Sequence, residues 1–230
     1  MGIEERRDRE RQAVTDSILD AARELFLAEG YPSVSIRKIA ERIEYSPAAI
    51  YSYYPSKDDI FLALAKEGFH RLDAKVQAAA CTGDPLKDVR ACWWAFYEFS
   101  KEQPEYFLLM FVDRSVPRIT EQWDGFEFLQ QMLGNAVAGI QRAIDAGAFP
   151  ATLNANAAMH MLWAGLVGPA VVGIRHRLAS GEDYDALARD VLNATIAGLQ
   201  AGVATTFVSC KCVEENAGAP VPAGATRHEA

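Results

Sequence analysis

Apolar residues recur at three- and four-residue spacings along most of the chain, and no stretch alternates in the strict manner of a half-buried strand. This pattern predicts an all-α protein of about nine helices. The first is expected to start near Thr15 and run to Glu29, with Ile18, Ala22, Leu25 and Phe26 on one face and Gly30 as its left-handed stop. Ser35 caps a second helix whose inward positions are Ile36, Ile39, Ala40 and Ile43. Ser46 followed by Pro47 opens a short third helix, with proline where its missing N–H costs nothing. Pro55 and Ser56 interrupt that helix, and Ser56 caps a fourth that carries Ile60, Leu64, Phe69, Leu72 and Val76.

Cys81 to Pro85 reads as a loop, and a fifth helix follows with Leu86, Val89, Trp93, Phe96 and Ser100 on one face. Pro104 starts a short aromatic segment, Glu105 to Val112. Beyond Pro117 a helix of about seven turns carries Ile119, Trp123, Phe126, Leu129, Leu133, Val137, Ile140 and Ile144, until Gly147 and Pro150 end it. Asn154 opens an eighth helix to the neighbourhood of Ala179, and Asp183 caps a ninth from Tyr184 to the neighbourhood of Val203. From Glu214 onward the residues are small and Pro-rich, the composition of a disordered tail. The expected organisation is an N-terminal unit at 12–72, a helical body at 73–208 and a tail at 209–230.

Composition adds that the 230 residues are 50% hydrophobic and 23% charged, a globular balance. A formal charge of −8 argues against coating nucleic acid by bulk attraction. The charge is uneven, however: residues 1–32 carry five basic and eight acidic groups, residues 33–57 four and two, and residues 58–230 fourteen and twenty-one. Only the middle window is positive. Arg6, Arg7, Arg9 and Arg11 form a further basic group, offset by Glu4, Glu5, Asp8 and Glu10, and a solvated tail is the favoured reading over an arm that presents them to DNA. Four cysteines do not make a disulfide framework, and the first residues lack the apolar core of a secretory leader, so a reducing cytoplasm is expected. The uncharged run from Ala146 to Ile174 is long enough to raise the question of a membrane span. Gly147, Pro150, Asn154, Asn156 and His160 interrupt it, and helices buried on most sides are the preferred reading.

The positive window, VSIRKIAERIEYSPAAIYSYYPSK at 34–57, has the layout of a helix-turn-helix: a helix, a tight turn and a capped short helix. Pro47, Ala48 and Ala49 are small enough for close approach to another surface, while Tyr51, Ser52 and Tyr53 offer hydroxyl donors. Small residues, hydroxyls and a helix N-terminus suit phosphates and base edges. Ile50 and Tyr54, four apart, anchor the short helix to the core. Residues 12–72 resemble the DNA-binding domain of the tetracycline-repressor (TetR) family, through A-A-x-x-L-F with Gly30, S-I-R-K-I-A, S-P-A-A-I-Y and P-S-K. The resemblance implies a dimeric, ligand-responsive transcription factor, usually a repressor, that binds a palindromic operator. By position it implies Arg37 as a base or phosphate contact, with Ser35 and Lys38 near the DNA backbone. Ser46 caps the recognition helix, and Pro47, Ala48 and Ala49 face bases, where thymine methyls are natural partners. The resemblance further implies that Tyr51 and Lys57 hold phosphates with Ser52 beside them, and Tyr53 stands where the family often has histidine. One departure is Glu44, at a turn position often filled by glycine. A left-handed backbone strains a non-glycine residue by roughly 1 kcal/mol, and the carboxylate lies close to the expected DNA.

The body is rich in aromatics, and its surplus beyond the core suits a mostly apolar pocket for a hydrophobic or aromatic ligand. Candidate lining residues are Trp93, Tyr97, Phe107, Met110, Trp123, Phe126, His160 and Trp163. The last two helices carry small residues, Ala164, Gly165, Gly168 and Gly173 on one and Ala194, Ala197, Gly198, Ala201 and Gly202 on the other. Their near lack of charge suits packing against their copies in a second subunit as a four-helix bundle. Gly165, Gly168, Ala194, Ala197, Gly198 and Ala201 are the candidate interface. No G-x-S-x-G, HExxH or P-loop occurs, so no enzyme, metal or cofactor is expected. Cys210-x-Cys212 without further ligands is a weak metal signal. The competing readings are a helical carrier or enzyme that merely contains a helix-turn-helix lookalike, and a membrane-associated helical protein.

Overall fold

The computed structural model describes residues 2–79, 82–112, 127–174, 181–202 and 205–207. These form α1 (Ile3–Glu29), a 3-10 turn (Tyr31–Ser33), α2 (Ile36–Arg42), α3 (Pro47–Tyr51), α4 (Lys57–Ala79), α5 (Pro85–Glu102), α6 (Pro104–Phe111), α7 (Glu127–Asp145), α8 (Ala155–Ile174) and α9 (Tyr184–Gln200). There is no strand among the described residues. The front of the long seventh helix, with Ile119, Trp123 and Phe126, lies outside them, as do the expected end of the eighth at Ala179, the pair Cys210 and Cys212, and the tail at 209–230.

Most helix starts lie where short-range chemistry places them. Ser35 Oγ accepts the Lys38 N–H at 3.3 Å, Ser46 Oγ that of Ala49 at 3.1 Å, and Ser56 Oγ that of Asp59 at 3.2 Å. Asn154 and Asp183 cap α8 and α9 in the same way, accepting from Ala157 at 3.0 Å and from Asp185 at 2.9 Å. Each satisfies a backbone donor that the first helical turn leaves without an intrahelical partner. The first helix departs from expectation. It begins at Ile3 rather than near Thr15. Its early turns bury no face, so hydrophobic periodicity is silent there. They are held instead by local pairs: the Gly2 N–H donates to Glu5 at 2.9 Å, Arg6 meets Glu10 at 2.8 Å and Gln12 meets Asp16 at 2.8 Å. The four arginines therefore lie on a helix and not on a flexible arm.

Two connected cores organise the chain. In the first, α1, α2, α3 and the front of α4 close around Ile18, Ile39, Ile50, Ile60 and Phe61, all fully buried. Tyr31 sits between Phe26 and Phe61, tilted against the first and edge-on to the second, with ring centroids 5.1 and 5.5 Å away. The second centres on α5, which packs against α4, α6, α7, α8 and α9 and buries Tyr97 and Phe99. The boundary expected at 72/73 falls inside α4, which runs unbroken to Ala79 and belongs to both cores. At Gly68 it approaches α6 so closely that a Cβ would lie 2.5 Å from Met110 Sδ and 2.9 Å from Tyr106 Cδ1.

By length and composition α8 passes as a membrane span, with 20 residues and a mean hydropathy of 1.6. It packs against α5, α6, α7 and α9, burying Ala157, Ala158, Leu162, Leu166 and Ala170 on that side. Among the described residues no buried side-chain polar atom lacks a partner.

Candidate DNA-binding and effector sites

The turn between α2 and α3 is closed by the Tyr45 N–H donating to Ala40 O at 2.9 Å. Glu44 has φ 60°, the one positive value at a non-glycine among the described residues, so the predicted left-handed turn is present. Ile50 is fully buried and pins α3, while Tyr54 is half-buried beside it. Burial, with Asp16 and Glu67 nearby, pushes the Tyr54 phenol up from its ordinary value. Ser46, Pro47, Ala48, Tyr51 and Ser52 are exposed, with Ala49 and Tyr53 partly so. Tyr51 is 54% exposed, although a tyrosine on a short core-anchored helix would ordinarily cover apolar surface. The structure thus leaves all of residues 46–53 except Ile50 at least partly exposed. It adds Tyr45, exposed just before the cap, which the sequence reading left without a role.

The cations of the motif are each engaged inside the protein. Arg37 pairs with Glu41 at 2.8 Å along the exposed side of α2, which holds its guanidinium above the ordinary range. Lys38 meets Glu29, and Arg42 meets Glu24 at 2.8 Å, so both tie α2 to α1. Ser35 is exposed, with its hydroxyl serving the cap. Lys57 is more committed: its ammonium donates to Tyr31 O at 2.8 Å and Val34 O at 3.0 Å and lies 4.1 Å from the Tyr31 ring centroid. Tyr31 in turn donates its hydroxyl to Asp58. Burial and that carboxylate both favour the neutral phenol and push it up. Lys57 is therefore the clamp that joins the 3-10 turn to the start of α4, and its remaining donor is what it can offer a phosphate.

In the body, Trp93, Phe107 and Trp163 come together through two residues the sequence reading did not single out as lining. Phe96 lies 5.9 Å from Trp93 and 5.5 Å from both Phe107 and Phe111, and Phe111 lies 6.4 Å from Trp163. Phe111 also contacts Phe69 of α4 at 5.7 Å, which carries the cluster to the helix shared with the first core. Met110 sits against Gly68. Tyr97 turns elsewhere: its hydroxyl donates to Asp185 at 2.9 Å, where Lys101 also donates at 2.7 Å. His160 places Nδ1 2.8 Å from Asn156 O and its ring 4.7 Å from Phe207. Trp123 and Phe126 lie outside the described residues.

The small residues of α8 and α9 divide into two groups. A Cβ on Gly165 would lie 3.4 Å from Val191 Cγ1 and Thr195 Oγ1, so this glycine serves the packing of α8 on α9 within the chain. Gly173 likewise faces Tyr184. Ala164, Gly168, Ala194, Ala197 and Ala201 are exposed, with Gly198 half-buried, beside Trp163 at 37% exposed. The mixed faces arise because successive residues turn by about 100° around a helix axis, which a count of small residues does not resolve.

Residues 18–64 match the family described as bacterial regulatory proteins, tetR family. The chain carries a tetR-family domain. KstR, an HTH-type transcriptional repressor of Mycolicibacterium smegmatis, is 34% identical over 83 residues, 36% of this chain and 38% of KstR. FasR, an HTH-type transcriptional activator of the same organism, is 30% identical over 108 residues, 46% and 49% of the two chains. The chain thus spans less than half the length of these curated relatives. FadR from Bacillus subtilis, solved in complex with stearoyl-CoA, superposes with a TM-score of 0.66 at 16% identity, over 79% of this chain and 97% of FadR. That likeness in fold reaches well beyond the segment matched in sequence.

Proposed function

We propose that this protein is a homodimeric, ligand-responsive transcriptional regulator, a repressor. It binds palindromic operator DNA through α2 and α3 and is released by a small hydrophobic or aromatic ligand in the cytoplasm. The observation that carries the reading is the rigidly capped, exposed face of Ser46, Pro47, Ala48, Tyr51 and Ser52, within the segment that matches the tetR family. Ser35, Arg37 and Lys38 flank that face, and Arg37 exchanges Glu41 for phosphate or a base edge. A two-fold dimer through the exposed small residues of α8 and α9 would set the two recognition helices about 34–36 Å apart, one DNA turn. An effector seated among Trp93, Phe107 and Trp163 would act on α4 through Phe111 and Phe69.

KstR supports repression as the sign of control, and FasR supplies the alternative that a reporter gene distinguishes. Because a protein of this fold was solved with stearoyl-CoA, a long-chain acyl-CoA is the first compound to titrate, with aromatic acids as comparison. The test selects duplexes from a random pool with the full-length protein, then follows the gel shift as salt rises. A palindromic consensus, bound more weakly at higher salt, supports the reading. A folded protein that enriches no sequence and shifts no duplex at low salt overturns it.

A further inference from the structure

The early turns of α1 leave the core, yet the stripe that α1 packs inward continues along them in a different chemistry. Ile18 is fully buried and Val14 half-buried; the next positions on the same stripe, at helical spacing, are Arg11 and Arg7. The face that is aliphatic against the domain thus becomes guanidinium where the helix projects past it. Arg11 lies with its guanidinium carbon 5.3 Å from the centroid of the Tyr53 ring, in the turn that follows α3. Arg7 and Arg11 also differ from Arg6 and from the four cations of the helix-turn-helix motif. Arg6 pairs with Glu10, Arg37 with Glu41, Lys38 with Glu29, Arg42 with Glu24, and Lys57 with backbone carbonyls. Among the described residues neither Arg7 nor Arg11 meets a carboxylate, and both are exposed. Two guanidinium groups without a carboxylate partner therefore lie on α1, and Arg11 adjoins the recognition surface at Tyr53.

We infer that the projecting N-terminal turns of α1 are a second DNA-contacting element, in which Arg7 and Arg11 neutralise phosphates beside the segment that α3 reads. The inference rests on the proposed DNA-binding function and deepens it. Tyr53 acts as the platform that orients Arg11, by stacking a planar cation on an aromatic face. The helical form matters because a guanidinium on a rigid helix is presented at a fixed offset from α3. Phosphate contacts of this kind set register and affinity and carry no sequence information themselves.

The experiment uses the full-length protein on a duplex selected by it, in one version limited to the palindrome and one with six base pairs added at each end. Each phosphate neutralised contributes about 0.9 to the slope of log K against log salt, so a dimer losing four such contacts flattens by about 3.6. Arg7→Ala/Arg11→Ala should show that flattening on the longer duplex, with the same consensus sequence and a hydroxyl-radical footprint shortened at both ends. Arg7→Lys/Arg11→Lys should restore the slope, and Arg6→Ala should leave it near wild type. An unchanged slope and footprint in a double variant whose melting curve matches wild type overturns this inference and leaves the proposed function standing. A wild-type protein that selects no duplex overturns both.

Discussion

Gly68 is the place where one added methyl group tests the packing between the two cores. In Gly68→Ala the Cβ would lie 2.5 Å from Met110 Sδ, 2.9 Å from Tyr106 Cδ1 and 3.3 Å from Tyr106 Cβ. Ordinary carbon contacts are about 3.5–4.0 Å, so the neighbours must retreat by up to about 1 Å. Met110 is flexible and its sulfur can swing away. Tyr106 is not free in the same way: its hydroxyl accepts from Arg23 Nη1 at 2.9 Å, and guanidinium carbons lie 5.4 Å (Arg23) and 5.0 Å (Arg71) from its ring centroid. Overpacking of this kind costs about 1–3 kcal/mol. Against it stands the gain in helix propensity, about 1 kcal/mol for alanine over glycine. With Tyr106 held, the packing cost outweighs that gain, and the net loss is up to about 2 kcal/mol. The assay is urea unfolding followed by far-ultraviolet circular dichroism, and the expected result is a lower midpoint with an unchanged slope. Adding the same change to Met110→Ala separates the two neighbours: it should still lower the midpoint, because Tyr106 stays in place. A Gly68→Ala protein at or above the wild-type midpoint refutes the argument that Tyr106 is fixed.

Glu44→Gly should raise the urea midpoint, because left-handed strain of about 1–2 kcal/mol is relieved against a chain-entropy cost of about 0.5–1 kcal/mol. A fall in the midpoint would show that the strain at φ 60° is smaller than the chain-entropy cost of glycine. Asp185 is held below the ordinary carboxylate range by Lys101 first, partly opposed by desolvation, and helped by Tyr97. Its folded-state depression gives stability that is complete above an unfolded pKa of about 3.9 and fades as pH falls through the lower folded value. Asp185→Asn should therefore be less stable than wild type at pH 7, and the difference should close as pH falls below about 4; a pH-independent gap in the melting temperatures counts against the ion pair. Ala197→Lys, on the exposed side of α9, should convert a dimer to a monomer by light scattering. A dimer that survives it removes α9 from the interface.

What the sequence determined by itself was local. The serine, asparagine and aspartate caps act within three residues, and the same residue types in the same spacing produced helices α2, α3, α4, α8 and α9. The small and hydroxyl-bearing surface of α3 was legible for the same reason, as was the left-handed turn at Glu44. The early start of α1 was not, because a helix with no buried face has no hydrophobic period. Tertiary structure alone decided which long-range partners met. Tyr97 gives its hydroxyl to Asp185, 88 positions away, a partner no local pattern announces. Lys57 gives two of its three ammonium donors to carbonyls 26 and 23 residues earlier. Gly165 was read as a contact between copies, yet Val191 and Thr195 of the same chain fill the space before it. Capping needs only the next turn of backbone, whereas these contacts depend on how rigid helices rotate and stack, a choice made by the whole core at once.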